Sequence, residues 1–219
     1  MQPYLDFHTH RSIYTQNELG IQNLHLHIKL PELSSKRWYS AGIHPWYASV
    51  EQWEGQWQNL QKYAVLPEVR LIGECGLDRL RGEPLDKQLY YFEQQVVLAQ
   101  NLHKPVVIHC VKAYSELLQW HKHFRPTVPL IVHGFDSKLP IAESLLEKGF
   151  YFSLGKALLK PNSNAQRLLA VIPLERLFLE TDDSTTVHIS EIYAAAAQIL
   201  NLSLEKLISQ IWHNFEGLF

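Results

Sequence analysis

The chain has 219 residues, 46% of them hydrophobic and 19% charged, with 20 lysines and arginines against 22 aspartates and glutamates. That composition can fill one sizeable core, and it excludes disordered, collagen-like and fibrous chains. The formal net charge of −2 gives no overall attraction to nucleic acid, so any hold on phosphate must be local.

Short apolar runs bounded by turn residues recur from end to end, and longer segments of helical periodicity separate most of them. Eight strands are predicted: Tyr4 to His8, Ile21 to Ile28, Trp38 to Ile43, Val69 to Cys75, Pro105 to His109, Leu130 to His133, Phe150 to Leu154 and Leu177 to Thr181. Near-continuous apolar runs such as PVVIH and PLIVH suit strands covered on both faces, as in a parallel sheet. Helices are predicted at Glu51 to Ala64, Leu85 to Leu102, Tyr114 to Phe124, Leu139 to Lys148, Ala165 to Ala170, Ile189 to Leu200 and Leu204 to Phe215. Ser203 is placed to cap the last of these, and Gly149 to follow the fourth. With no repeat or linker to mark a boundary, residues 1–219 read as a single domain of repeated βα units.

An α/β barrel typically takes ~250 residues, so a barrel here must be trimmed. The trimming has a place. Ten residues separate His10 from Ile21 and nine separate Ile28 from Trp38, where a parallel crossover with a helix needs a dozen or more. Helices after the first and second strands are therefore short or missing.

Neither Cys75 nor Cys110 belongs to a closely spaced pair, which argues against a disulfide framework or a zinc knot. By strand alternation both read as small buried apolar residues. The start of the chain lacks a basic head followed by a long apolar run, and no stretch approaches the length of a membrane span, so a cytoplasmic protein without membrane contact is expected.

Twelve histidines stand out, and histidine is the commonest metal ligand. In DFHTH, alternate residues of an extended chain face one way, so His8 and His10 can grip a single cation. Four more strands end in a residue able to bind metal: Glu74 in LIGECGLD, His109 in KPVVIH, His133 in PLIVH and Asp182 in LFLETD. In a parallel barrel those ends converge. A second HxH pair, His25 and His27 in LHLHIK, has no acidic or glycine company and reads as structural or surface histidine.

The stretches DFHTH, GIHPW, IGECGLD, FEQQVVLAQNLHKPVVIH, VHGF, LETD and NFEGLF span nearly the whole chain. In that order they resemble the TatD-type metal-dependent hydrolases, relatives of the amidohydrolases. The resemblance implies a trimmed TIM-like (β/α)8 barrel with two divalent ions, zinc, manganese or magnesium. It also implies the ligand set: His8, His10 and Asp182 on one ion, His109 and His133 on the other, and Glu74 bridging both.

Imidazoles and carboxylates suit such ions, and two of them can generate hydroxide near neutral pH and stabilise charge on the attacked group. Asp182 is the natural proton acceptor beside that water. His44, at the end of the third strand, faces substrate by the same resemblance. Asp6 orients a ligand or anchors its strand, and Asp78 fixes the loop after Glu74, with Gly76 allowing the turn. Asp183 reads as a loop or capping group. Trp46, Tyr114 and Phe135 lie just past strand ends, where they either pack or stack on a base or sugar.

The chain also departs from the family pattern. Where an H-S-R type run is usual after the fifth strand it reads His109-Cys110-Val111-Lys112, and where Ala-Pro commonly follows the last aspartate it reads DDSTTVHISE. Lys112 is the expected substrate contact, with Lys156 and Lys160 as further candidates for phosphate. The expected activity is a phosphodiesterase or deoxyribonuclease acting on DNA or a small phosphoester, with no obligate protein partner. Two rivals are amidohydrolase-type cleavage of a C–N or ester bond, and a metal-binding barrel without turnover.

Overall fold

The computed structural model describes residues 2–12, 15–28 and 32–219. Its strands are β1 Tyr4–Thr9, β2 Glu18–His25, β3 Trp38–Gly42, β4 Val69–Asp78, β5 Val106–Val111, β6 Leu130–Val132, β7 Tyr151–Leu154 and β8 Leu177–Leu179. The helices are α1 Val50–Ala64, α2 Leu85–Leu102, α3 Tyr114–Phe124, α4 Leu139–Glu147, α5 Asn164–Leu169, α6 Ile189–Leu200 and α7 Leu204–Glu216. Two short 3-10 turns, Lys156–Leu159 and Leu174–Arg176, were not expected from periodicity. Among the described residues no helix follows β1 or β2, as the short connections require. No described helix is long and apolar enough to cross a membrane.

The chain divides into two compact units, residues 1–22 with 132–219, and residues 23–131. In the first, the strand order is β6-β7-β8 and β1-β2, and a parallel bridge between Thr9 and Asp182 brings the ends of β1 and β8 together. Its core stacks Phe7 on Phe178, with centroids 4.1 Å apart, and sets Phe215 edge-on to Phe7 at 6.5 Å. Helix α7 buries Leu207, Ile208, Ile211, Trp212 and Phe215, the stripe its sequence predicts, and Ser203 caps it by accepting from the Lys206 N–H at 3.3 Å.

In the second unit the order is β2-β3-β4-β5-β6, and the pairings β3–β4 and β4–β5 are parallel. Helix α2 lies against β4 and buries Gln88, Tyr91, Phe92, Gln95, Val96 and Ala99 on one face. Two glutamines on an apolar stripe need partners. Gln95 takes the Ile43 N–H at 2.6 Å and donates to the Ile43 carbonyl at 3.1 Å. A side-chain amide thus finishes the end of β3, one residue before His44.

Two expected strands shift by three residues, while β5 runs two residues further, to Val111, and β8 stops two earlier, at Leu179. β2 begins at Glu18, opposite Tyr4, because pairing with β1 sets its register, so Leu26, His27 and Ile28 fall beyond it. β4 continues to Asp78 instead of stopping at Cys75. Gly76 is therefore not a turn residue. It sits inside the strand at φ +147, where a side chain would collide with the His109 carbonyl, and its absence lets β4 and β5 approach closely.

Replacing Gln95 by alanine leaves the buried Ile43 N–H without a partner and is expected to cost about 2 kcal/mol. Urea denaturation of the two proteins measures this, and equal midpoints would show that the amide does not hold β3.

Candidate metal centre

In the first unit, β1 brings His8 and His10 beside Asp182, just past β8. Asp182 sits at φ +53, its N–H donates to the His8 carbonyl at 3.0 Å, and its carbonyl accepts from the His10 N–H at 3.1 Å. The side chains follow the backbone. Asp182 Oδ1 is 3.4 Å from His10 Nε2 and 3.8 Å from His8 Nε2, and one ligand atom from each of the three residues lies within 4.8 Å of the others. His8 is fully buried, whereas Asp182 and His10 are half-buried and open to solvent. The pairing register of β1 shifts between Asp6 and Thr9, so the strand is irregular where it presents His8.

Asp6 works one layer down. Its carboxylate accepts from the Thr181 N–H at 2.8 Å and the Thr181 hydroxyl at 2.6 Å, with the Arg11 guanidinium 3.3 Å away. Burial pushes its carboxyl up to about 7, against the lowering effect of Thr181 and Arg11. It fastens β1 to the residues that carry Asp182.

His133 and Asp182 form a further group with Glu180, a residue the sequence reading missed. Glu180 is fully buried. Its Oε1 accepts from the Gly134 N–H at 2.6 Å and lies 3.4 Å from His133 Nδ1. Gly134, at φ +56, turns that N–H toward the carboxylate. Oε2 is buried with no hydrogen-bond partner among the described residues. An orphaned carboxylate oxygen next to imidazoles is costly unless a cation or proton meets it. The signal was present in the sequence: the acid of LETD sits in a run too apolar to face water.

In the second unit, one ligand atom from each of His44, Glu74 and His109 lies within 4.8 Å of the others. Glu74 Oε1 is 3.1 Å from His44 Nε2 and 2.9 Å from His109 Nδ1. The Trp46 N–H donates to His44 Nδ1 at 3.1 Å, which leaves the His44 proton on Nε2. His109 Nε2 faces Asp78 Oδ2 at 3.0 Å, which places a proton there and turns the Nδ1 lone pair toward Glu74. Two acceptors 2.9 Å apart require a second imidazole proton or a cation. These donor sets, together with the orphaned Glu180 oxygen, fit hard or borderline divalent ions.

Asp78 also accepts from Trp46 Nε1 at 2.6 Å and the Leu80 N–H at 2.8 Å. Burial works against its charge, but the hydrogen bonds from His109, Trp46 and Leu80 outweigh it and hold the carboxyl below the usual range. It thus holds His109 as well as the loop. Asn23 Oδ1 receives the Glu74 N–H at 2.9 Å and the Ser40 hydroxyl at 3.1 Å. Gln88 takes the Asp78 N–H at 2.7 Å. Sequence reading missed Asn23 and Gln88; Gln88 could have been found as a polar residue on the apolar face of α2.

The expected phosphate contacts fare unevenly. Lys112 is exposed at φ +54, and its carbonyl is taken by Arg79 Nε at 2.8 Å. Lys160 is also exposed, and Lys156 pairs with Asp183 at 2.7 Å on the surface. The divergent DDSTTVHISE segment is occupied in starting α6, with the Glu191 carboxylate accepting from the His188 N–H at 2.8 Å. Phe135 is buried packing, Tyr114 opens α3, and exposed His27 stacks on Tyr47 at 3.7 Å. Cys75 and Cys110 are buried thiols.

Residues 15–219 match the family model for TatD related DNases. The chain belongs to the TatD family. Among curated TatD relatives, the 3'-5' ssDNA/RNA exonuclease TatD of Erwinia tasmaniensis is 34% identical over 151 residues, covering 66% of this chain and 57% of that protein. The human 3'-5' RNA nuclease TATDN2 is 37% identical over 151 residues, 66% of this chain and 20% of that one. The chain thus spans little more than half the length of the bacterial relatives it matches. The TatD homolog YJJV of Escherichia coli k12 superimposes with a TM-score of 0.81 at 20% identity over 99% of this chain and 97% of its own. A TatD family hydrolase from Entamoeba histolytica gives 0.77 at 17% identity over 100% and 98%. These likenesses establish the TIM-like (β/α)8 fold expected from the sequence.

Glu180→Ala should weaken divalent-ion binding about 10- to 100-fold by calorimetry, the usual effect of removing a carboxylate that orients a ligand. Glu180→Gln, which keeps an acceptor for Gly134 and His133, should lose less, and unchanged affinity in both would remove Glu180 from the centre. Burial raises the Cys75 thiol and pushes the Cys110 thiol up to about 12. Neither should react with a disulfide reagent at neutral pH until the protein is unfolded, and a fast native reaction would contradict their burial.

Proposed function

We propose that this TatD-family chain is a divalent-metal-dependent phosphodiesterase that shortens single-stranded DNA or RNA from the 3' end, the activity named for its relatives. The observation that carries the reading is the meeting of His8, His10 and Asp182, with ligand atoms within 4.8 Å of one another at the ends of β1 and β8. In this reading those three would hold one ion and His109 and His133 a second, with Glu74 a ligand to both, as the family resemblance implies. Two ions of zinc, manganese or magnesium would supply a water acidified toward neutrality and positive charge for the phosphoryl oxygens.

The chain's own residues do the rest. Asp182, half-buried and fixed through its backbone, accepts the proton of the attacking water. His44, with its proton held on Nε2 by the Trp46 N–H, donates to Glu74 Oε1 at 3.1 Å, and a substrate oxygen would compete for that donor. Asp78 and Glu180 steady His109 and His133. Lys112 is exposed, and with its carbonyl taken by Arg79 its ammonium is left to meet a substrate phosphate.

Purified protein with manganese or magnesium should release mononucleotides from single-stranded oligonucleotides, and EDTA should abolish this. Glu74→Ala should lower the number of ions bound per chain, while His25→Ala with His27→Ala should leave the rate unchanged. No metal-stimulated release from DNA or RNA would exclude the nuclease reading.

A further inference from the structure

Trp46 stands at the rim of the His44–Glu74–His109 group, which it serves through its backbone N–H and the Nε1 edge of its ring while the ring's face is left unused. The indole is 37% exposed, yet its plane is fixed. Its N–H donates to Asp78, and it meets the rings of His44 at 4.8 Å and His109 at 5.7 Å edge to face. The Arg81 guanidinium lies 4.2 Å from its centroid.

Two arginines on the same loop behave differently. Arg79 is tied down by Glu116 and the Lys112 carbonyl. Arg81 is exposed and has no carboxylate partner among the described residues; its charge rests on the indole alone. The backbone beneath it is held, because Gln88 Nε2 donates to the carbonyls of Asp78 at 2.9 Å, Arg81 at 3.1 Å and Glu83 at 2.6 Å. Only the side chain is left to move. A cavity of about 310 Å³ opens beside it, lined by Asp78 and the loop through Leu85.

The geometry points to a nucleobase subsite in which Trp46 is the stacking platform and Arg81 its exchangeable cover. A base of single-stranded nucleic acid takes the guanidinium's place on the indole, and Arg81 swings to the adjacent phosphate. Base–aromatic stacking is stronger than an exposed cation–π contact and tolerates any base, and a guanidinium matches phosphate in a fork. The ring's anchorage to Asp78, the carboxylate that holds His109, sets the bound nucleotide close to the candidate ligands. This inference rests on the nuclease reading and names the part of the site that recognises the strand.

The test compares an oligothymidylate with a spacer oligomer of equal phosphate count lacking bases, by fluorescence anisotropy on the full chain in EDTA. The wild type should prefer the oligothymidylate. Trp46→Leu should lose that preference, with a drop of about 5- to 100-fold for oligothymidylate and little change for the spacer. Trp46→Phe keeps a ring and should retain most of the preference. Arg81→Ala should weaken both oligomers and reduce the salt dependence by about one phosphate contact. No preference in the wild type, a preference that survives Trp46→Leu, or unaltered binding by Arg81→Ala would each overturn the subsite. Metal-stimulated cleavage without base preference would sink the subsite and leave the nuclease reading standing. Base preference without cleavage in any divalent metal would sink the nuclease reading and leave the subsite standing.

Discussion

The first unit depends on one clasp. Asp6 and Thr181 are 175 residues apart in sequence, and the aspartate takes both the amide and the hydroxyl of the threonine. Arg11 reinforces it, donating to the Thr181 hydroxyl at 3.0 Å while lying beside Asp6. With β1 fastened there, the Asp182 amide and carbonyl reach the backbone of His8 and His10 on either side, and an aspartate remote in sequence comes to share a focus with the two histidines. The clasp is buried, so its hydrogen bonds act in a medium of low polarity, where they hold position well and an ionised carboxylate is hard to keep. The raised Asp6 carboxyl reflects that conflict.

Side-chain amides do the same work in the second unit without adding charge. Asn23 holds the Glu74 N–H, Gln95 both polar groups of Ile43, and Gln88 the Asp78 amide together with three carbonyls around the following loop. An amide carries donor and acceptor at once, so each can satisfy strand ends that have run out of neighbours. Carboxylates in those places would compete with Glu74 and Asp78 for the same imidazoles and any cation.

The strands, the helices and the residues that gather into candidate ligand groups were legible because each has a local signature. Apolar runs fixed α2, α3 and α6 to the residue, and strand-end His, Glu and Asp marked the ligand candidates. The missed parts depend on through-space partners. β2 takes its register from β1, and β4 runs on through Gly76 because β5 comes close. Strand alternation could not foresee the irregular pairing at His8 and between Ile72 and Cys75, where Glu74 sits. Glu180, Asn23 and Gln88 matter through what they touch, and no spacing rule reports that. The lysines near strand ends were the weakest inference, since charge without geometry does not distinguish a phosphate contact from the surface ion pair Lys156 makes with Asp183.

The shortening of the chain bears on where substrate choice can reside. The connections after β1 and β2 are too brief for helices, and the segment after Asp182 is spent in capping α6. Among the connections that remain, the one between β4 and α2 faces Trp46, which follows β3. It carries two arginines, is pinned by Gln88 from below, and starts at the carboxylate that orients His109. Of the two, Arg79 is fixed in an ion pair and Arg81 is free to exchange its aromatic partner for a phosphate. A loop whose backbone is held and in which one charged side chain is left to move loses little order on binding, and can meet a strand without disturbing the candidate metal ligands.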